Sequence, residues 1–175
     1  VIAMPDLATL PSGTSVFVDT IIFDLHFRNR SATCSAFVER IARGEIAAFV
    51  NTQVLSDLLH KLMLAEAQLK GLIPHRSAKE LRDKLTANRT IIGSLTDYQM
   101  QFENTLAIGM RVLSVTGKLL KESKKERLGH GLMVGDSLHL CNMNRCSAPI
   151  QNIVTHDGDF NHIPNIVVWE PLDVV

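Results

Sequence analysis

Apolar residues in this chain follow two spacings, and the alternation between them predicts its architecture. Short continuous runs occur at Val16-Phe17-Val18, from Ile46 to Val50, at Ile153-Val154 and from Asn165 to Trp169. Runs of that length, bounded by polar residues or glycine, predict buried strands. Between them the apolar positions recur at helical intervals. Phe37, Val38, Ile41 and Ala42 predict a helix over 35–43 that Gly44 stops. Leu55, Leu58, Leu59, Leu62 and Leu69 share one face of a longer helix reaching Lys70, with Asn51 or Thr52 as its cap.

Gly71 to Pro74 interrupts the pattern, and two capping boxes follow, Ser77-Ala-Lys-Glu80 and Thr96-Asp-Tyr-Gln99. They predict helices over 77–88 and 97–115, while 89–95 fits either strand or helix. Residues 118–127 predict a charged helix, 129–135 a glycine-punctuated loop, and Asp136 to Met143 a helix with Asp136 in its first turn. Residues 1–14, with Pro5, Pro11 and Gly13, read as a lead-in, and 15–175 as a single domain. Strand, helix, strand, several helices and two strands in that order predict an α/β fold. Its sheet is mostly parallel, with helices on both faces.

Composition excludes more than it adds. Apolar residues at 46% and charged residues at 21% are globular proportions. No apolar run reaches membrane-span length, and the first residues lack a signal-peptide progression. Cys34, Cys141 and Cys146 are an odd set without a Cys-x-x-Cys pair, which argues against a disulfide framework or zinc site and for the cytoplasm. Eighteen basic and eighteen acidic residues cancel, so binding of nucleic acid is expected only through a local patch or a metal. The basic stretch holds Lys118, Lys121, Lys124, Lys125 and Arg127 against Glu122 and Glu126, and a solvated helix face accounts for it.

The candidate chemistry lies in acids where strands end and helices begin. From Asn152 to Phe160 a β-branched run meets Asp157, Gly158 and Asp159. On its own this is an Asp–Gly turn, with Gly158 permitting the bend. Asp19 closes the first apolar run, where a charge is costly unless it is exposed or paired. No second acid follows it two residues on, so the Asp-x-Asp pair of haloacid-dehalogenase-like phosphatases is missing. Asp57 sits about 200° around its helix from Leu55, which alone makes it a solvated acid. Asp136 alone is a first-turn helix acid. In parallel sheets, however, functional groups gather beyond the carboxyl ends of the strands. Asp19 and Asp157 belong there, and Asp57 and Asp136 lie near helix starts that such an edge feeds. Four converging acids repel one another unless cations intervene, and acid-and-water sites select Mg²⁺ or Mn²⁺.

Four blocks, in order, carry a resemblance: Val-Phe-Val-Asp19-Thr, Val-Leu-Ser-Asp57-Leu-Leu, Gly-Asp136-Ser-Leu-His-Leu and Ile-Val-Thr155-His-Asp157-Gly-Asp159-Phe160. Across Val16 to Trp169 the chain resembles a PIN domain, in particular the VapC-like toxins of prokaryotic toxin–antitoxin pairs. That resemblance implies a three-layer PIN-like fold and a metal-dependent ribonuclease that hydrolyses RNA phosphodiesters. The family usually carries aspartate, glutamate, aspartate and aspartate at these places. Here the second is Asp57, one methylene shorter, and the fourth is open between Asp157 and Asp159. Asp19, Asp136 and Asp157 would hold Mg²⁺ or Mn²⁺, with Asp57 bound directly or through water and Thr155 supporting the site through its hydroxyl.

Lys121, Lys124, Lys125 and Arg127 would guide the RNA, and His139 and His156 lie nearby as structural or surface residues. The resemblance further implies a small antitoxin that places a basic residue over Asp19, Asp136 and Asp157. Its affinity would come from the helices near Phe37 and Leu55 to Leu62. A homodimer is left open. A rival reading is a PIN-like module that has lost catalysis and binds protein or RNA, with Asp57 as its support. A receiver-like phosphoacceptor fits an acidic edge but lacks a lysine after a late strand.

Overall fold

Strand β1 (Ser15–Val18) is buried on both sides: Val16, Phe17 and Val18 alternate between the sheet's faces, yet all three are shut off from solvent. A strand buried this way needs a layer of helices above and below it. The computed structural model that shows this describes residues 4–72 and 78–175. These form two compact units, Val1–Leu55 with Ile108–Val175, and Ser56–Ala107.

The first unit holds the sheet. Its other strands are β2 (Ala47–Asn51), β3 (Arg111–Leu113), β4 (Asn152–Val154) and β5 (Val167–Trp169), and the spatial order is β3-β2-β1-β4-β5. Every pairing is parallel, with Phe17 opposite both Phe49 and Ile153. The sheet is flanked by α1 (Thr20–Phe27) and α2 (Ala32–Ala42), which pack together, and by three later helices that form their own group. The lead-in joins the far edge, where Leu7 N donates to Glu170 O at 2.8 Å and Leu7 and Leu10 are buried.

Helix α3 (Thr52–Leu69) starts directly after β2, and Asn51 caps it by accepting from Val54 N at 2.9 Å. Leu55, Leu58 and Leu62 are buried as the spacing predicts, whereas Leu69, the last residue of the helix, is exposed. In the second unit α3 continues into α4 (Ala78–Ala87), α5 (Arg89–Ser94) and α6 (Asp97–Ala107) around Leu64, Ala67, Leu85 and Leu95. The ambiguous segment 89–95 is thus helical, and the expected cap Ser77 lies outside the described residues.

The second capping box is not formed. Gln99 bonds Glu103, and the N–H groups of Thr96 and Tyr98 donate instead to the buried carboxylate of Glu66, at 2.9 and 2.8 Å. Burial alone raises the pKa of Glu66, but the Lys70 ammonium and these backbone donors outweigh it and hold the group at about 2.

The helix expected over 97–115 stops at Ala107, because Gly109 takes a left-handed φ of 94° and the chain turns into β3. The charged segment divides into α7 (Gly117–Glu122) and α8 (Lys124–His130). The glycine-punctuated loop is shorter than expected. Gly131 ends α8 with a φ of 68°, and α9 (Val134–Arg145) already begins before Gly135. Among the described residues no helix is long and apolar enough to cross a membrane.

Candidate functional site

The strand order reverses direction at β1 and β4, since the chain runs outward from β1 to β3 and then restarts on β1's other side. The crevice beyond the carboxyl ends of these two strands is the topological switch point. Asp19 follows β1 directly, and its N–H extends the ladder to Val154 O at 3.1 Å. Its backbone caps α1, yet its carboxylate makes no cap bond. Aspartate in this position ordinarily accepts from its own helix. Here Asp19 Oδ2 instead accepts from Thr155 Oγ1 at 2.7 Å.

Thr155 follows β4 and is fully buried. Its hydroxyl gives its one hydrogen to Asp19 and accepts from Asp157 N at 3.0 Å, so it ties the two strand ends together. Asp157 Oδ1 in turn accepts from Asp159 N at 3.1 Å and caps a 3₁₀ turn, Gly158–Phe160, that the buried Phe160 anchors. The Asp–Gly turn is therefore real, and both its acids remain exposed at the sheet edge. Gly158 keeps a negative φ, so the bend does not demand glycine.

Asp136 arrives on the first turn of α9. Three residues on, and so on the same helix face, His139 rests its ring 5.1 Å from that of Phe17. His139 Nδ1 also lies 3.0 Å from Asn51 Nδ2 at the end of β2. This packing fixes α9 against the strands that bring Asp19 and Asn51. Burial, then the charges of Asp157, Asp19 and Asp159, push the Asp136 carboxyl up to about 6. Four acids from β1, β4 and α9 thus share one electrostatic environment.

The remaining expected residues have different surroundings. Asp57 is exposed on α3, within the Ser56–Ala107 unit. Lys121 and Lys124 are exposed, and Lys125 pairs with the buried Glu126 at 3.3 Å. Arg127 donates from Nη1 to Ser123 Oγ at 2.7 Å and to Ser137 Oγ at 3.1 Å. His139 is buried and structural, and His156 is exposed. Phe37, Leu55, Leu58 and Leu62, expected to receive an antitoxin, are already buried within the chain. The sequence reading missed Ser123 and Ser137. Ser137 adjoins Asp136 and is fully buried, but nothing in the sequence marks that burial.

Among the described residues, no three of His, Cys, Asp and Glu converge closely enough to hold an ion as the side chains stand. The fit lies in the donor chemistry: hard carboxylate oxygens, and an Asp136 whose ionisation the neighbouring acids oppose. Both features are what Mg²⁺ or Mn²⁺ takes and relieves.

No protein-family model and no curated protein matches this chain. Among solved structures it is similar to a chain of VapBC2 from Rickettsia felis, in a crystal structure bound to a DNA fragment from their promoter. The TM-score is 0.54 at 16% identity, covering 90% of this chain and 98% of that one. At that identity the likeness is one of fold. The chain has the three-layer α/β fold expected from its sequence, a five-stranded parallel sheet flanked by helices in the PIN-like arrangement.

Proposed function

We propose that this chain is a metal-dependent endoribonuclease of the VapC-like PIN type, the cytoplasmic toxin of a toxin–antitoxin pair. One observation carries the reading: Asp19, Asp136 and Asp157 come from three separate elements to the switch point, where burial and then the charges of its acidic neighbours raise Asp136 to about 6. Acids placed only for stability would be kept apart or given cationic partners.

In this reading Asp19, Asp136 and Asp157 bind Mg²⁺ or Mn²⁺. When bound, the ion supplies Lewis-acid polarisation of the phosphodiester and a more acidic water. Thr155 orients the Asp19 carboxylate and fixes the Asp157 backbone, so the strand ends present their oxygens at a set spacing. Without a cation the cluster repels RNA, so a bound cation would serve substrate binding as well as chemistry.

The deciding experiment incubates the purified full chain with a panel of RNAs in Mg²⁺, in Mn²⁺ and in EDTA. Cleavage in either ion and none in EDTA is the expected result. RNA or protein binding without cleavage in any condition would replace the enzyme with a docking module. Asp57→Ala and Asp57→Glu belong in the same assay. If Asp57 is the family's second acid, alanine lowers cleavage and glutamate keeps or raises it; an unchanged alanine variant makes it a solvated helix acid.

The partner in this reading is a small antitoxin whose arginine or lysine sits over the acids in place of the metal. Replacing that residue by alanine should restore cleavage within the complex, and equal inhibition without it would refute this form of control. A homodimer is a separate proposal that sedimentation of the purified chain decides.

A further inference from the structure

Four arginines of the described chain, Arg28, Arg40, Arg43 and Arg145, sit in ion pairs with Asp24, Glu45, Glu39 or Glu122. Arg127 is half-buried and has no carboxylate partner among the described residues. Its hydrogen bonds run only to the hydroxyls of Ser123 and Ser137, both fully buried. Each serine has already given its single hydrogen to a carbonyl, Ser123 to Leu120 O at 3.0 Å and Ser137 to Val134 O at 2.8 Å. The serines can therefore only accept from Arg127, and they take both hydrogens of Nη1.

That arrangement leaves the Nε and Nη2 hydrogens side by side. They form the fork that meets two oxygens of a phosphate or carboxylate at once. Anchored at Nη1, the fork has lost much of the rotamer freedom that binding would otherwise take from it. One of the two anchoring serines, Ser137, directly follows Asp136 of the proposed site on the first turn of α9. Among the described residues the exposed Lys121 and Lys124 have no comparable anchor, and Lys125 is engaged by Glu126.

We propose that the Nε/Nη2 edge of Arg127 is a phosphate-binding fork that seats a backbone phosphate of single-stranded RNA beside the acidic cluster. This rests on the ribonuclease reading and deepens it. It separates Arg127 from the lysines of the same stretch, which contribute only diffuse charge. A prepositioned cation here also offsets the repulsion that Asp19, Asp136 and Asp157 exert on the approaching strand.

Fluorescence anisotropy with a labelled single-stranded oligoribonucleotide tests it, using the full chain with Ca²⁺ as the divalent ion to slow cleavage. Affinity is measured across a salt series. Arg127→Ala should bind about tenfold more weakly. Its plot of log K against log salt should be shallower by about 0.7, the loss of one single-strand phosphate contact. Arg127→Lys should keep the wild-type slope and still lose affinity, about threefold, because an ammonium lacks the fork. Should the alanine variant fail to fold, the lysine variant decides alone.

Lys121→Ala and Lys124→Ala should each change affinity less than twofold. Wild-type affinity and slope in Arg127→Ala, or wild-type affinity in Arg127→Lys, would overturn the fork while leaving the ribonuclease reading intact. Failure of the wild-type chain to bind or cleave any RNA would overturn the reading, and the fork with it.

Discussion

Glu66 on α3 receives the Lys70 ammonium and the backbone N–H groups of Thr96 and Tyr98, whereas Asp136 on α9 faces Asp157, Asp19 and Asp159. Burial opposes ionisation in both. In the second unit the donors outweigh burial and the acid falls to about 2; in the first, like charges add to burial and the acid rises to about 6. An acid that serves only the fold is satisfied by its own chain, as Glu66 is where it caps α6. Among the described residues Asp136 has no ion pair, and in the proposed function a metal cation would supply that compensation.

The largest effect should come from neutralising acids of the first unit. Asp19→Asn, Asp136→Asn and Asp157→Asn should each reduce RNA cleavage on the order of a hundredfold. Asp136→Asn should at the same time raise the melting temperature of the metal-free protein, since it removes a charge the fold disfavours. Cleavage rates and melting curves of the three variants check both halves, and full activity in all three would remove the proposed site.

How much of this could be read from residues alone depends on whether the cause was local. The β1 run and the acid behind it were legible, because Val16-Phe17-Val18 is a buried strand by pattern and Asp19 is costly at its end. Asp157 was legible for the same reason after Ile153-Val154. Strand β3 was not: Arg111, Val112 and Leu113 are three residues without alternation, made a strand by pairing with β2. The start of α9 was hidden by Gly135, which reads as loop but sits in the helix.

The α6 cap misled for a related reason. Thr96 and Gln99 spell a capping box, while the real acceptor, Glu66, lies thirty residues earlier. Such a partner becomes visible only when the helices pack. The pinning of Arg127 by Ser123 and Ser137 was equally out of reach, because it depends on α8 meeting α9.

Glu66→Ala removes the acceptor for two backbone donors and for Lys70, and should cost about 2–3 kcal/mol, or roughly 5–10 °C in melting temperature. The two acids should also give opposite pH dependences. Glu66 falls from 4.5 to about 2 on folding, so its stabilisation is complete above pH 4.5 and is lost as pH falls toward 2. Asp136 rises from 3.8 to about 6, so in metal-free protein its contribution weakens stability as pH climbs from 3.8 through 6. Melting curves in EDTA should therefore improve from pH 7 down to about 4 and deteriorate below that. Asp136→Asn should flatten the first limb and Glu66→Gln the second.

A smaller effect tests the link between the strand ends. Thr155→Val keeps the shape of the side chain and deletes the hydroxyl that joins Asp19 to the Asp157 backbone. Groups that orient a metal ligand without touching the metal typically contribute tenfold or more. Cleavage should fall about tenfold, and Thr155→Ser should recover most of it. A valine variant as active as wild type would mean that the two acids hold their positions without the bridge.

The smallest effect is expected at Asp159, and it decides which exposed acid serves as the fourth. Asp157 adds more to the raised pKa of Asp136 than Asp159 does, and its backbone is held by Thr155. Asp159 contributes its N–H to the Asp157 carboxylate, and asparagine keeps that N–H. Asp159→Asn should thus preserve the turn, remove the weakest of the three charges acting on Asp136, and lower cleavage by roughly threefold at most. It should also lower the Asp136 pKa less than Asp157→Asn does, as a carboxyl-resolved NMR titration in EDTA would show. If Asp159→Asn instead loses a hundredfold while Asp157→Asn is mild, the roles are reversed: Asp157 is then the turn's cap, and Asp159 is the acid the metal needs.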